Sequence, residues 1–191
     1  MRRIGVFWGL GFLVVLLTAL LLTNFHLASS ETQTNVTTAS SRWPSGTSLP
    51  SQTVQYKVDG DSSLAEALRE TLPQKLMNAQ PAADTAVPQL IVRPDQVNIN
   101  WTPLYGRAEI VVTAAFSSNG DFAFMETEPT HFQLNGGENG GTGPVVQAAT
   151  KISLTDKSIG LLSRPGYHQL LAGKLAEEIN KAVQANVFAA P

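Results

Sequence analysis

The residues that could do chemistry begin with the histidines, because histidine with serine and aspartate can build a nucleophile and its base. The chain has three, His26, His131 and His168. The first follows a long apolar run, the second lies in a predicted strand, and the third lies near the start of a predicted helix. No G-x-S-x-G sequence is present to form a hydrolase nucleophile elbow. We therefore interpret all three as ordinary histidines and predict that the protein is not an enzyme.

Acidic pairs, metal motifs and one glycine-rich loop are the other candidates. Glu126 and Glu128 alternate in a predicted strand, where two carboxylates either serve glycoside hydrolysis or face solvent, and we favour solvent. The sequence contains no H-x-x-x-H, H-E-x-x-H or calcium-loop pattern, so we predict no metal and no cofactor. Residues 135–143 contain five glycines but lack a G-K-[ST] ending. A flexible connection is therefore favoured over a phosphate site there.

Two amphipathic helices are the elements that would position any site. Ser63 to Glu66 form a capping-box pattern that predicts a helix start, and leucines then recur every four residues from Leu64 to Leu76. Pro73 is predicted to kink or divide this helix. A second helix is predicted from Tyr167 to about residue 187. Its apolar stripe is formed by Leu171, Leu175, Ile179 and Val183.

Strand patterns occur before the first helix and throughout the segment between the two helices. Residues 54–58 and 97–101 alternate between apolar and polar, with a turn predicted at Pro94-Asp95. Residues 107–116 and 121–126 flank an Asn-Gly pair, which predicts a β-hairpin. Short strands are also predicted at residues 131–134 and 145–154. The order predicts an α+β fold with an antiparallel sheet of four to six strands and both helices on one face.

The N-terminal segment predicts where the protein resides. Residues 4–22 contain no charge and follow Arg2-Arg3. As a helix they would be about 28 Å long, close to the thickness of the bilayer's hydrocarbon core. We predict a single-pass signal-anchor over residues 1–28, with the N-terminus cytoplasmic and the rest outside the cytoplasm. Ala28-Ser29-Ser30 leaves open the alternative of a cleaved secretory signal.

Composition separates the rest of the chain into a linker and a folded domain. Residues 29–53 are dominated by serine and threonine and are predicted to be a flexible tether, while residues 54–191 form the extracytoplasmic domain. The whole chain has 13 basic and 15 acidic residues and a net charge of −2, so we predict no nucleic-acid partner. Cysteine is absent, which excludes disulfides and a lipid-modified cysteine.

The layout resembles membrane-anchored bacterial envelope proteins related to tubular lipid-binding domains. The resemblance is carried by PQLIVRPDQVNINW, GRAEIVVTAAFSSNGDFAF, HFQLNGG and LAEEINKAV, which together extend across most of residues 60–183. It implies a curved sheet wrapped around a long helix and the binding of an apolar ligand. A second likeness is to small envelope assembly or transport auxiliary subunits with two helices on one sheet.

Two functions remain open from the sequence. The first is an anchored extracytoplasmic module that binds a lipid or other apolar ligand in a groove. The second is a non-catalytic interaction or assembly subunit of a cell-envelope complex, with a closed core and one exposed apolar patch on a sheet face or edge. The residues that we expect to line the groove of the first are Leu68, Leu72, Ile110 and Ile179.

Overall fold

Six strands form one mixed sheet, and two helices pack on one of its faces. The computed structural model describes residues 11–16, 18, 26–40, 53–76, 79–83, 88–118, 120–125 and 147–185. The strands are β1 (His26–Ser40), β2 (Val54–Val58), β3 (Ala79–Pro81), β4 (Leu90–Trp101), β5 (Tyr105–Ser117) and β6 (Gln147–Leu161). The helices are α1 (residues 11–16), α2 (Ser63–Lys75) and α3 (Arg164–Val183).

The sheet order is β1-β6-β5-β4-β2-β3. The neighbouring strands β1, β6, β5 and β4 pair antiparallel, as predicted, but β2 runs parallel to both β3 and β4. The prediction of a wholly antiparallel sheet is therefore wrong at this edge. The reason is that α2 connects β2 to β3 as a crossover helix, and a helical crossover returns the chain in the same direction. The α+β class and the two packed helices are confirmed.

Both helices begin at a serine cap. The Ser62 hydroxyl accepts a hydrogen bond from the Ala65 amide, and the Ser163 hydroxyl accepts one from the Gly166 amide, each at 3.2 Å. Each hydroxyl satisfies an amide that has no partner within the first helical turn. Pro73 lies in the last turn of α2 and does not divide the helix, contrary to one of the two predicted effects.

A β-bulge replaces the predicted turn at Pro94-Asp95. The antiparallel register between β4 and β5 shifts between Pro94 and Gln96, and the strand continues to Trp101. Side chains alternate along a strand, so the extra residue changes which positions face the helices. Even-numbered residues face them before the bulge and odd-numbered residues after it. Leu90 and Val92 before the bulge and Ile99 after it therefore lie on the same face, against the core.

The predicted hairpin after β5 is wrong in its second strand. Gly120 adopts a positive φ of 72°, so the chain does turn there. The following residues form a short 3-10 helix (Ala123–Met125), and the next strand of the chain that pairs antiparallel with β5 is β6. Phe122 and Phe124 pack on the sheet face opposite the helices, against Ala115 and Ala149, which explains why this apolar segment does not need to pair as a strand. The strand predicted at residues 131–134 and the glycine-rich loop lie outside the described residues.

The serine- and threonine-rich segment differs most from its prediction as a flexible tether. Residues 26–40 form β1, which pairs with β6 along its whole length. β1 buries little apolar surface of its own, and most of its residues are exposed. Its order comes from the backbone ladder and from hydroxyl groups that bond to a buried carboxylate on β6. The remainder of the predicted tether, residues 41–52, lies outside the described residues.

Part of the predicted membrane segment is described as helix. Phe12, Leu13, Val14, Val15 and Leu16 are all between 48% and 71% exposed. The Thr18 hydroxyl donates to the Val14 carbonyl at 2.7 Å, as expected for threonine in an apolar helix. Within the described part of the chain, no helix is long and apolar enough to cross a membrane.

Candidate functional site

The four residues predicted to line a groove lie together in the core. Leu68 and Leu72 on α2, Ile179 on α3 and Ile110 on β5 are each at most 1% exposed. They converge by packing against one another and their neighbours. The small cavity at the edge of this core, bordered by Leu90, Phe116 and Val183, holds about 10 Å³, whereas ligand pockets are typically about 300–1,000 Å³.

A buried carboxylate forms the most organised polar site. The Asp156 side chain on β6 has no exposed area. Its Oδ1 accepts hydrogen bonds from Lys174 Nζ at 2.6 Å and from the Thr32 and Ser30 hydroxyls at 2.7 and 3.1 Å. Its Oδ2 accepts from the Ser158 hydroxyl at 2.7 Å and the Tyr167 hydroxyl at 2.9 Å. Five donors thus surround one carboxylate.

Three elements meet at this carboxylate. Ser30 and Thr32 come from β1, Ser158 from β6, and Tyr167 and Lys174 from α3. Tyr167 and Lys174 are seven residues apart, which places both on one side of the helix after two turns. The network therefore attaches the edge strand to the helix layer through the sheet.

The electrostatics of the network favour a structural role. Burial alone would raise the pKa of Asp156, but the hydrogen bonds from Lys174, Thr32, Ser158 and Tyr167 together lower it. Burial, the hydrogen bond to Asp156 and the negative charge of that carboxylate all raise the pKa of Tyr167. Aspartate is thus held charged and tyrosine held protonated. A substrate atom would have to displace one of the five donors to reach the carboxylate.

Gly106 is required beside this network. A Cβ placed on Gly106 would lie 2.5 Å from Cζ of the Tyr167 ring and under 3 Å from two further ring atoms. The tyrosine ring is fully buried there and reaches Asp156 across β5. The close approach explains a glycine near the start of an otherwise well-formed strand.

A second, polar cleft of about 390 Å³ lies between the first turns of α2 and α3. Its charged and imidazole side chains are Glu66, Glu70, Arg164 and His168. His168 is largely buried, and burial, followed by the nearby Arg164 cation, lowers its pKa. Among the described residues no carboxylate hydrogen-bonds to His168, so the base–orienter pair of a catalytic triad is not formed.

The chain has two further histidines and no metal-binding motif in its sequence. His26 lies at the start of β1, and His131 lies outside the described residues. Within the described part of the chain, no three histidine or acidic side chains are grouped to hold a metal ion.

A third feature is an apolar surface at one end of the sheet, which we call the end surface. It consists of Leu27 on β1, Leu104 and Tyr105 at the β4–β5 turn, and Ile159 on β6, with exposed fractions of 41%, 61%, 40% and 54%. Leu27, Leu104 and Ile159 line one concavity of about 440 Å³. Backbone bonds from Gly160 to Leu104 and from Leu162 to Pro103 hold the turn against β6.

Sequence reasoning missed both the buried network and the end surface, although each leaves a signal. Asp156 occupies the same alternating phase as Ile152 and Leu154, so a carboxylate stands where an apolar side chain is expected. Ile159 occupies the opposite phase, after Thr155 and Lys157, so an apolar side chain stands where a polar one is expected. Both signals lie in the second half of β6.

No protein-family model matches the chain, and no curated protein matches it.

Proposed function

We propose that the protein is a membrane-anchored, extracytoplasmic, non-catalytic module that acts as an interaction subunit of a cell-envelope complex. The anchor is residues 4–22, preceded by Arg2 and Arg3 on the cytoplasmic side. Support comes from α1, where five consecutive apolar side chains point outward on all sides. A helix that is apolar all round needs either a protein core or lipid around it.

The closed core is the observation that carries an interaction function rather than the binding of an apolar ligand. The candidate groove residues Leu68, Leu72 and Ile179 make contacts with neighbouring side chains in place of a ligand. Opening the space for an acyl chain would separate α2 and α3 from the sheet and expose their whole apolar faces. Burial of those faces is worth about 1.5–3 kcal/mol for each large side chain, so the open form would be strongly disfavoured.

Two site geometries support the absence of catalysis. The donors around Asp156 leave its carboxylate no accessible oxygen. Among the described residues no carboxylate hydrogen-bonds to His168, although Glu66 and Glu70 line the same cleft. In the described part of the chain, a partner would therefore bind at the surface.

The surface that suits a protein partner is the outer edge of β1. Within the described residues, β1 is the last strand of the sheet on its side. From Ser29 to Ser40 it carries neither proline nor lysine, the residues that commonly protect exposed edges, and Glu31 is its one charge. A partner strand could add there through backbone hydrogen bonds. Gln33 and Asn35 lie beside that edge and are exposed.

Site-specific photocrosslinking in cells that express the full chain tests this proposal. A photoreactive residue at position 33 or 35 is expected to form a covalent adduct with one discrete protein. The same residue in place of the exposed Gln74 on α2 is the matched control and is expected to form none. Adducts of equal yield from both surfaces, or none from β1, would contradict the assignment of the edge.

A further inference from the structure

The position of the end surface in the chain points to its occupant. Leu27 is the second residue of β1, and the apolar segment ends at Leu22. Leu22 and His26 are four positions apart in the chain, so a fully extended segment between them spans at most about 14 Å. If residues 4–22 cross a bilayer, the start of β1 must therefore lie within the reach of the lipid headgroups.

The rest of the end surface is at the same end of the sheet. β1 pairs with β6 so that Leu27 opposes Gly160, and Tyr105 at the start of β5 opposes Ile159. Leu104 is the most exposed of the four side chains and lies in the turn that β6 holds in place. Four apolar side chains from three separate segments thus converge where the chain leaves the anchor.

A band of charged side chains borders this apolar end. The next residue pair along the same face of β5 and β6 is Arg107 opposite Lys157. Two residues along a strand correspond to about 7 Å, so these cations lie about one headgroup layer above Tyr105 and Ile159. Arg107 also pairs with Glu109 at 2.7 Å, and both side chains are about half exposed. Glu31 on β1 lies opposite Lys157, so two cations and two carboxylates form a charged band above the apolar rim, as suits the polar headgroup region.

We propose that the end surface of Leu27, Leu104, Tyr105 and Ile159 rests in the headgroup region of the membrane that holds the anchor. The contact orients the domain, with β6 rising from the lipid and the opposite end of the sheet farthest from it. Position 147 at the other end of β6 would then lie about 40 Å further along the strand than position 159. The inference rests on the anchor proposed above and adds to it a second, non-covalent contact with lipid.

Depth-dependent fluorescence quenching tests the contact on the full chain in vesicles of phosphatidylcholine and phosphatidylglycerol. The chain has no cysteine, so Leu104→Cys and Ile159→Cys each give one labelling site for an environment-sensitive fluorophore. Thr155→Cys is the matched control, because it is exposed on the same face of β6 and lies about 13 Å further from the end surface. Ala123→Cys marks the opposite end.

Nitroxide-labelled lipid is expected to quench the labels at 104 and 159 at least about twofold more than the label at 155. The label at 155 lies about 13 Å further along β6, a distance comparable to the range over which a nitroxide quenches. The label at 123 is expected to show no quenching. Equal quenching at 104, 159 and 155 in a chain that floats with the vesicles would overturn the contact and leave the anchor standing. A chain that does not float with the vesicles would overturn the anchor, and the contact with it.

Discussion

Replacing Lys174 by methionine tests the reasoning about the buried carboxylate. Lys174→Met keeps the length and apolar stem of the side chain and removes the cation that lies 2.6 Å from Asp156. Removing one partner of a fully buried ion pair costs about 3–5 kcal/mol. Lys174 is 24% exposed, and four neutral donors would remain around the carboxylate. We therefore expect a loss of about 2–3 kcal/mol in the free energy of unfolding.

Urea unfolding of the full chain in detergent micelles, followed by tryptophan fluorescence, measures this loss. Trp101 reports on the region, because its indole donates to the Leu162 carbonyl at 2.9 Å beside the start of α3. Lys181→Met is the matched control on the same helix. Lys181 pairs with Glu178 at the surface, where water and salt screen the pair, so its replacement is expected to leave the unfolding midpoint unchanged.

The pH dependence separates a charge effect from a packing effect. The pKa of Asp156 is lowered in the native protein, so ionised Asp156 stabilises the fold above its ordinary pKa, and this contribution is lost as the pH falls through its lowered value. Lys174→Met removes the largest of the interactions that lower this pKa, so the pKa of Asp156 is expected to rise in the variant. The difference between the native chain and Lys174→Met should therefore be largest near neutral pH and shrink toward acid pH. A difference that is constant with pH, or no larger than that of Lys181→Met, would refute the reasoning.

Three further predictions follow from the same contacts. Gly106→Ala should destabilise the protein by about 1–3 kcal/mol, because the new Cβ would overlap the Tyr167 ring. Urea unfolding measures this loss, and an unchanged free energy of unfolding would contradict the close packing. Leu72→Ala should cost about 2–5 kcal/mol by leaving a cavity in a closed core, whereas a cost under about 1 kcal/mol would indicate that the site already holds empty space. The pKa of His168 is lowered in the folded protein, so neutral His168 stabilises the fold above the ordinary histidine pKa. This contribution is lost as the pH falls through the lowered pKa of His168. Thermal unfolding between neutral and mildly acidic pH should show this slope, and His168→Gln should reduce it; an unchanged slope would contradict the assignment.

Local patterns predicted the helices and much of the sheet because those elements follow a single period. The leucine repeat of α2 and the stripe of α3 each place one residue per turn in the core, and the structure buries them as predicted. The alternation of β5 from Ala108 to Phe116 likewise marks its helix-facing side. These features depend on residues close in sequence.

The remaining features depend on residues distant in sequence. The β4 bulge reverses the alternation at Asp95, a change that only the pairing with β5 reveals. β1 is ordered by β6, which follows it by more than one hundred residues, and composition alone favours disorder for it. The network around Asp156 joins Ser30 and Thr32 to Lys174 across the same separation. Side chains from such distant positions could not be assigned to one site by spacing.

Native mass spectrometry of the full chain released from detergent micelles tests most directly whether the core is closed. We expect a peak for the protein alone. Any bound lipid should be lost while the chain remains folded, because such lipid would contact only the anchor or the end surface. A stoichiometric apolar adduct that leaves only when the chain unfolds would show that the core between α2, α3 and the sheet encloses a ligand. That result would contradict the account and restore the groove of Leu68, Leu72, Ile110 and Ile179.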